Sequence, residues 1–115
     1  MREQVKDKGR LEHILESIEN LFEFTKDVDF EQFITNKLLN FAVIKNIENI
    51  GEAGYKLTKE FKKQHPEIRW EAIIKMRHVL VHDYYQIKNE VAWDVIQEDL
   101  ATLQKQIKEI YENME

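Results

Sequence analysis

Apolar positions recur every three or four residues along almost the whole chain, which is the period of an amphipathic α-helix. Leu11, Ile14, Leu15, Ile18, Leu21 and Phe22 form one stripe, with Glu12, Glu16, Glu19 and Glu23 on the other faces, and predict a first helix ending near Thr25. Residues 27–29 read as a turn, and Asp29 is placed to cap a second helix beginning near Phe30. In that helix Leu39, Val43, Ile47 and Ile50 make one stripe, while Leu38, Phe41 and Ile44 make another that points elsewhere. A helix apolar on two faces belongs at the centre of a fold. Gly51 and Gly54 interrupt it, each costing about 1 kcal/mol relative to Ala, and permit either close backbone packing or a bend. Leu57 and Phe61 continue the stripe, so this helix is expected to run to about Lys63.

Gln64-His65-Pro66 is the clearest break, because proline cannot continue a helix and drives the residue before it to extended conformations. Trp70, Ile73, Ile74, Arg77 and Val81 trace a third helix, and the polar stretch 83–89 separates it from a fourth. The fourth is the most regular: Trp93, Ile96, Leu100, Leu103, Ile107, Ile110 and Met114 alternate steps of three and four. Such a seam needs a partner helix, inside the subunit or across a dimer. The chain has no strand-like alternation of useful length, no internal repeat and no low-complexity tract. The expected fold is all-α, an up-and-down bundle of four to five helices forming one domain over residues 1–115.

Composition narrows the chemistry. With 43% hydrophobic and 34% charged residues in 115, the chain is neither disordered nor fibrous. The absence of cysteine excludes disulfides, thiolate zinc sites, iron–sulfur clusters and cysteine nucleophiles, and fits a reducing cytoplasm. No apolar run approaches the ~18 residues of a membrane span, and residues 1–10 are polar, unlike a signal segment. The expectation is a cytoplasmic protein without membrane contact. The net charge of −5 argues against a basic footprint over the whole surface. It conceals a gradient, however: residues 55–88 carry a balance of +4 and the remainder −9, and three of the four histidines (His65, His78, His82) lie in the basic stretch.

Phosphate-binding and nucleophile-elbow motifs (G-x-x-x-x-G-K, G-x-G-x-x-G, G-x-S-x-G) are absent. His78 and His82, four residues apart, are spaced to share a metal, but Val79, Leu80 and Val81 between them supply no carboxylate base of the H-E-x-x-H kind. What remains is a polar cluster, Arg77, His78, His82, Asp83, Tyr84 and Tyr85, around an apolar helix end. One reading is architectural: Arg77 pairs with a carboxylate such as Glu52, and the histidines cap the helix C-terminus for about 0.3–1 kcal/mol. The other is chemical. A histidine titrating near neutrality can move the proton of a ribose 2′-hydroxyl or of a leaving oxygen, and a guanidinium forks onto phosphoryl oxygens, so no metal or other cofactor is required. In a continuous helix Arg77 and His82 point about 140° apart, five steps of about 100°. They reach one phosphate only if the helix ends or bends before His82, or if a second subunit completes the site.

Arg77-His78-Val79-Leu80-Val81-His82-Asp83-Tyr84 resembles the R-x4-H-x-Y motif of the HEPN superfamily, specifically the HepT-like toxins encoded beside a minimal nucleotidyltransferase. The likeness extends from about residue 7 to 110. Arg10-Leu11 with His13-Ile14-Leu15 and Ile18-Glu19 is similar to the family's first helix, Ile50-Gly51-Glu52-Ala53 to the signature of its second, and Pro66 through Trp70 to Met76-Arg77 to the approach to its active-site helix. Trp93 and Asp99-Leu100 fall where its last helix carries similar residues. The resemblance implies an all-helical homodimer and a metal-independent endoribonuclease. In it Arg77 neutralises the scissile phosphate and His82 is the acid/base, with His78, where the family commonly has Asn, and Glu52 as supporting polar groups. It also implies a toxin–antitoxin pair, in which the cognate nucleotidyltransferase attaches AMP to Tyr84, with Tyr85 as the adjacent phenol. The alternative is a noncatalytic helical module of the same family that binds the nucleotidyltransferase or a nucleotide. For Trp93, packing in the core or at a dimer interface is the expectation.

Overall fold

The computed structural model describes residues 2–81 and 89–114, with side chains described for 6–77 and 89–114. Helix α1, Arg2–Thr25, turns the first stripe inward: Leu11, Ile14, Ile18 and Leu21 are fully buried. The chain then reverses through Asp27, which adopts a left-handed conformation (φ 59°) that a short polar side chain tolerates. Asp29 starts α2, Phe30–Thr35, with a reciprocal capping box: its carboxylate accepts from the Gln32 amide, and the Gln32 side chain accepts from the Asp29 amide.

The continuous helix expected from Phe30 to about Lys63 is instead three helices. Asn36 makes the first break. Its backbone is extended, its amide still donates to Gln32 O, and its side chain accepts from Leu39 N, so one residue closes α2 and caps α3, Lys37–Lys56. Short polar side chains compete with the backbone in this way, and hydrophobic periodicity is blind to it. The second break lies at Leu57 and Thr58, both extended, where the Thr58 hydroxyl accepts from Phe61 N and starts α4, Lys59–Gln64. Asp7 of α1, only 1% exposed, fixes this corner by accepting from both the amide and the hydroxyl of Thr58. Leu57 and Phe61 remain buried, as their stripe requires.

The loop containing Pro66 is pinned by Ile68, which is buried, and by the Trp70 indole, which donates to His65 O at 2.9 Å. It leads into α5, Trp70–Val81. The C-terminal rod comprises α6, Asn89–Asp94, a π-helical segment, Val95–Asp99, and α7, Leu100–Glu112. The π turn, in which the Leu100 amide donates to Val95 O, interrupts the regularity expected of this helix while leaving both Ile96 and Leu100 in the core. The seam finds its partner inside the subunit, because Leu100, Leu103 and Ile107 are buried where α7 lies on α1. The Tyr111 hydroxyl donates to Glu12 along the same contact. Trp93 is a packing residue: its ring stacks on Phe33 at 5.3 Å and meets Phe30 edge-on at 5.9 Å.

Helix α3 is central, as its two apolar faces foretell, and it packs on both α1 and α5. The pairings Arg10 with Lys56 and Asn20 with Asn46 show α1 and α3 running antiparallel. Gly51 against Arg77 and Gly54 against Ile73 show the same for α3 and α5, so the core is an up-and-down all-α bundle. The second stripe of α3 splits: Ile44 is buried, whereas Leu38 is 82% and Phe41 67% exposed.

Candidate functional site

The site is built on the closest approach of α3 and α5. A Cβ on Gly51 would stand 2.6 Å from the Arg77 amide nitrogen, 3.0 Å from its Cβ and 3.1 Å from Ile73 O, so only glycine lets the two backbones come this near. Arg77 is thereby delivered against the face of α3 that carries Glu52, Tyr55 and Lys56, residues that share one helical surface at i, i+3 and i+4.

Two contacts and one unpaired donor define the guanidinium. Arg77 Nη1 donates to Glu52 Oε2 at 3.2 Å. The ring of Tyr55 lies 3.5 Å from Arg77 Cζ, a stacked cation–π contact. Arg77 Nε is buried and has no hydrogen-bond partner among the described residues. The side chain is 20% exposed, so its outer edge reaches solvent. Glu52 also faces Lys56 with its other oxygen, Nζ to Oε1 at 3.8 Å. A guanidinium has five N–H donors, and one carboxylate oxygen and a ring face leave most of them available to an acceptor.

The C-terminal end of α3, which supports Tyr55, is itself anchored. Lys62 donates to Gly54 O at 3.2 Å and lies near Tyr55 O, and Arg10 donates to Lys56 O at 2.6 Å. Burial pushes the Lys62 ammonium below the usual lysine range, partly offset by the carboxylate of Asp7. These cations sit where the last carbonyls of a helix favour positive charge.

Of the residues singled out by sequence, Arg77 and Glu52 are brought together. The side chain of His78, and the whole of His82, Tyr84 and Tyr85, lie outside the described residues. Tyr55 was not singled out. Its only sequence signal is its spacing from Glu52, which acquires meaning once the α3–α5 register places Arg77 over it. Among the described residues no three His, Asp or Glu side chains converge as metal ligands, and no helix is long and apolar enough to cross a membrane.

The family described as "Ribonuclease HepT-like" matches residues 14–110. The chain is 36% identical over 101 residues to a candidate RNase of Methanocaldococcus jannaschii, covering 88% of this chain and 93% of that one. It is 39% identical over 100 residues to a candidate RNase of Caldanaerobacter subterraneus subsp. tengcongensis, covering 87% and 89%. It is also 39% identical over 103 residues to the probable ribonuclease HepT of Thermococcus cleftensis, covering 90% and 94%. No solved structure matches the chain.

Proposed function

Because the chain belongs to the HepT-like ribonuclease family, we propose that it is a metal-independent endoribonuclease whose reacting groups are Arg77 and His82. The observation that carries this reading is the state of Arg77. Its guanidinium is oriented from below by Glu52 and Tyr55, its hydrogen bond among the described residues is the one from Nη1 to Glu52, and its outer edge reaches solvent. The N–H donors left on that edge are set to fork onto phosphoryl oxygens.

In the reaction the 2′-oxygen of the RNA attacks the adjacent phosphorus while His82 takes its proton. The bond from phosphorus to the 5′-oxygen breaks, and an imidazolium protonates the departing oxygen. The products are a 2′,3′-cyclic phosphate and a free 5′-hydroxyl. Arg77 binds the non-bridging oxygens and neutralises the charge that builds on them, and its preset orientation lets it do so without rearranging. His78 and Glu52 support the two groups. A homodimer brings a second copy to the cleft, and the bare α3 face around Leu38 and Phe41 is a surface such a copy would cover.

The biological setting we propose is a toxin restrained by a cognate minimal nucleotidyltransferase. AMP transferred to Tyr84 would place a bulky anion two residues from His82, where RNA phosphate must bind. Intact mass after co-expression with the partner should rise in steps of AMP, and Tyr84→Phe should abolish the rise.

The test of the activity is incubation of wild type and His82→Ala with labelled RNA in excess EDTA. Cleavage by wild type alone, yielding cyclic phosphate ends, is expected. Cleavage that chelation abolishes would mean a metal enzyme, and binding without cleavage would favour the noncatalytic module.

A further inference from the structure

A polar groove of about 510 Å³ runs between α1 and α3. That volume lies within the ~300–1,000 Å³ of small-molecule sites. Its floor is an amide pair: Asn20 donates to Asn46 Oδ1 at 3.2 Å, and Asn46, almost fully buried, donates its own amide to Ala42 O at 2.8 Å. The pair is thus fixed in orientation, and the Asn20 carbonyl is left over as an acceptor. Asn49 lines the same groove and makes no hydrogen bond among the described residues, and the Glu16 carboxylate faces it from α1. Glu52 and Lys56 form one rim. Glu52 is the residue that holds Arg77, so the rim of the groove lies one hydrogen bond, 3.2 Å, from the guanidinium.

We propose that this groove is a nucleobase subsite, which takes one unstacked base of single-stranded RNA, specifically a base bearing an exocyclic amine, next to the phosphate held by Arg77. The inference rests on the ribonuclease reading and adds what that site selects. Side-chain amides are suited to pair with two neighbouring atoms on a base edge, and a carboxylate accepts from an exocyclic amine. Glu16 and the Asn20 carbonyl are acceptors, and Asn49, Ser17 and His13 can each donate or accept, a set that meets the exocyclic amine of adenine, cytosine or guanine and offers less to uracil, whose edge carries two carbonyls and a single N–H. Lys56 at the rim meets the backbone phosphate. Recognition through a base also answers the charge problem. A chain with net charge −5 gains little from long phosphate tracking, so affinity must come from the groove and a short basic patch.

The experiment measures binding of short fluorescent oligonucleotides of A, C or U, carrying 2′-O-methyl groups so that no cleavage can occur, to the full chain. Wild type is expected to bind oligo(A) or oligo(C) about tenfold more tightly than oligo(U), the discrimination of one well-placed base contact. Glu16→Ala and Asn49→Ala, both at exposed positions, should erase that preference at an unchanged melting temperature, whereas Lys56→Ala should weaken all three alike. Preference retained in both groove variants would overturn the proposal. So would conversion of a dimer to monomer by Asn49→Ala, which would make the groove an interface with a second copy. The two readings fail separately. Base preference without cleavage of unmodified RNA would remove the ribonuclease and leave the subsite, while cleavage by wild type with no base preference in binding would do the reverse.

Discussion

Gly51 holds Arg77 in place by having no side chain: the space its Cβ would fill is occupied by the Arg77 amide nitrogen, 2.6 Å away. Gly51→Ala must therefore push α3 from α5 against backbone atoms that cannot rotate aside. Overpacking of this kind costs about 1–3 kcal/mol, more than the ~1 kcal/mol that alanine gains over glycine in a helix. Urea denaturation should show a loss of stability for Gly51→Ala and a smaller one for Gly54→Ala, whose Cβ meets side-chain atoms and no backbone, the nearest being the Ile73 Cγ2 methyl at 2.9 Å.

Glu52 orients Arg77 through a single oxygen, and Tyr55 does so through its ring face. Glu52→Ala should lower RNA cleavage by about tenfold to a hundredfold, the range expected when a reacting group drifts by about an ångström. Glu52→Gln keeps an acceptor at the same place and should recover most of the loss. Single-turnover cleavage at matched folded fractions separates this from a stability effect.

The corner between α3 and α4 depends on Asp7, whose two oxygens take the two Thr58 donors in a buried setting. Hydrogen bonds to a charged group contribute about 1.5–3 kcal/mol, so Asp7→Ala should destabilise by roughly 2–4 kcal/mol once the orphaned donors are included. Asp7→Asn retains one acceptor and should fall between the two in thermal melts.

Alkaline pH should weaken the α1–α7 contact. The Tyr111 hydroxyl donates to Glu12, and both the hydrogen bond and the charge of that carboxylate hold the phenol above its ordinary pKa of 10.0. A folded-state pKa above the unfolded value means the folded chain keeps its proton longer, so the contribution is whole below pH 10.0 and is lost as pH rises through the folded value. The stability difference between wild type and Tyr111→Phe should stay level from neutral pH to the onset of this range and shrink above it.

Much of this architecture was written in the hydrophobic period. The α1 stripe, the Asp29 cap, the Pro66 break and the two-faced α3 all follow from side-chain chemistry acting within a few residues. The breaks at Asn36 and Thr58 were not legible, because each is decided by one polar side chain, and at Thr58 by a buried carboxylate 51 residues away in sequence. The same distinction holds at the site. Arg77 and Glu52 belong to recognisable segments, and Gly51 and Gly54 in the α3 stripe permit close approach or a bend. Tyr55 becomes a partner of Arg77 only through the antiparallel register of two helices, which no local pattern records.

The central claim is that Arg77 is a phosphate-binding group preset by α3. Its most direct test is single-turnover RNA cleavage by wild type, Arg77→Ala and Arg77→Lys at equal folded fraction. The account predicts a loss of about 10²–10³ for Arg77→Ala, with little recovery in Arg77→Lys because an ammonium cannot fork onto two oxygens or stack on Tyr55 in the same way. Cleavage by Arg77→Ala at the wild-type rate would contradict it.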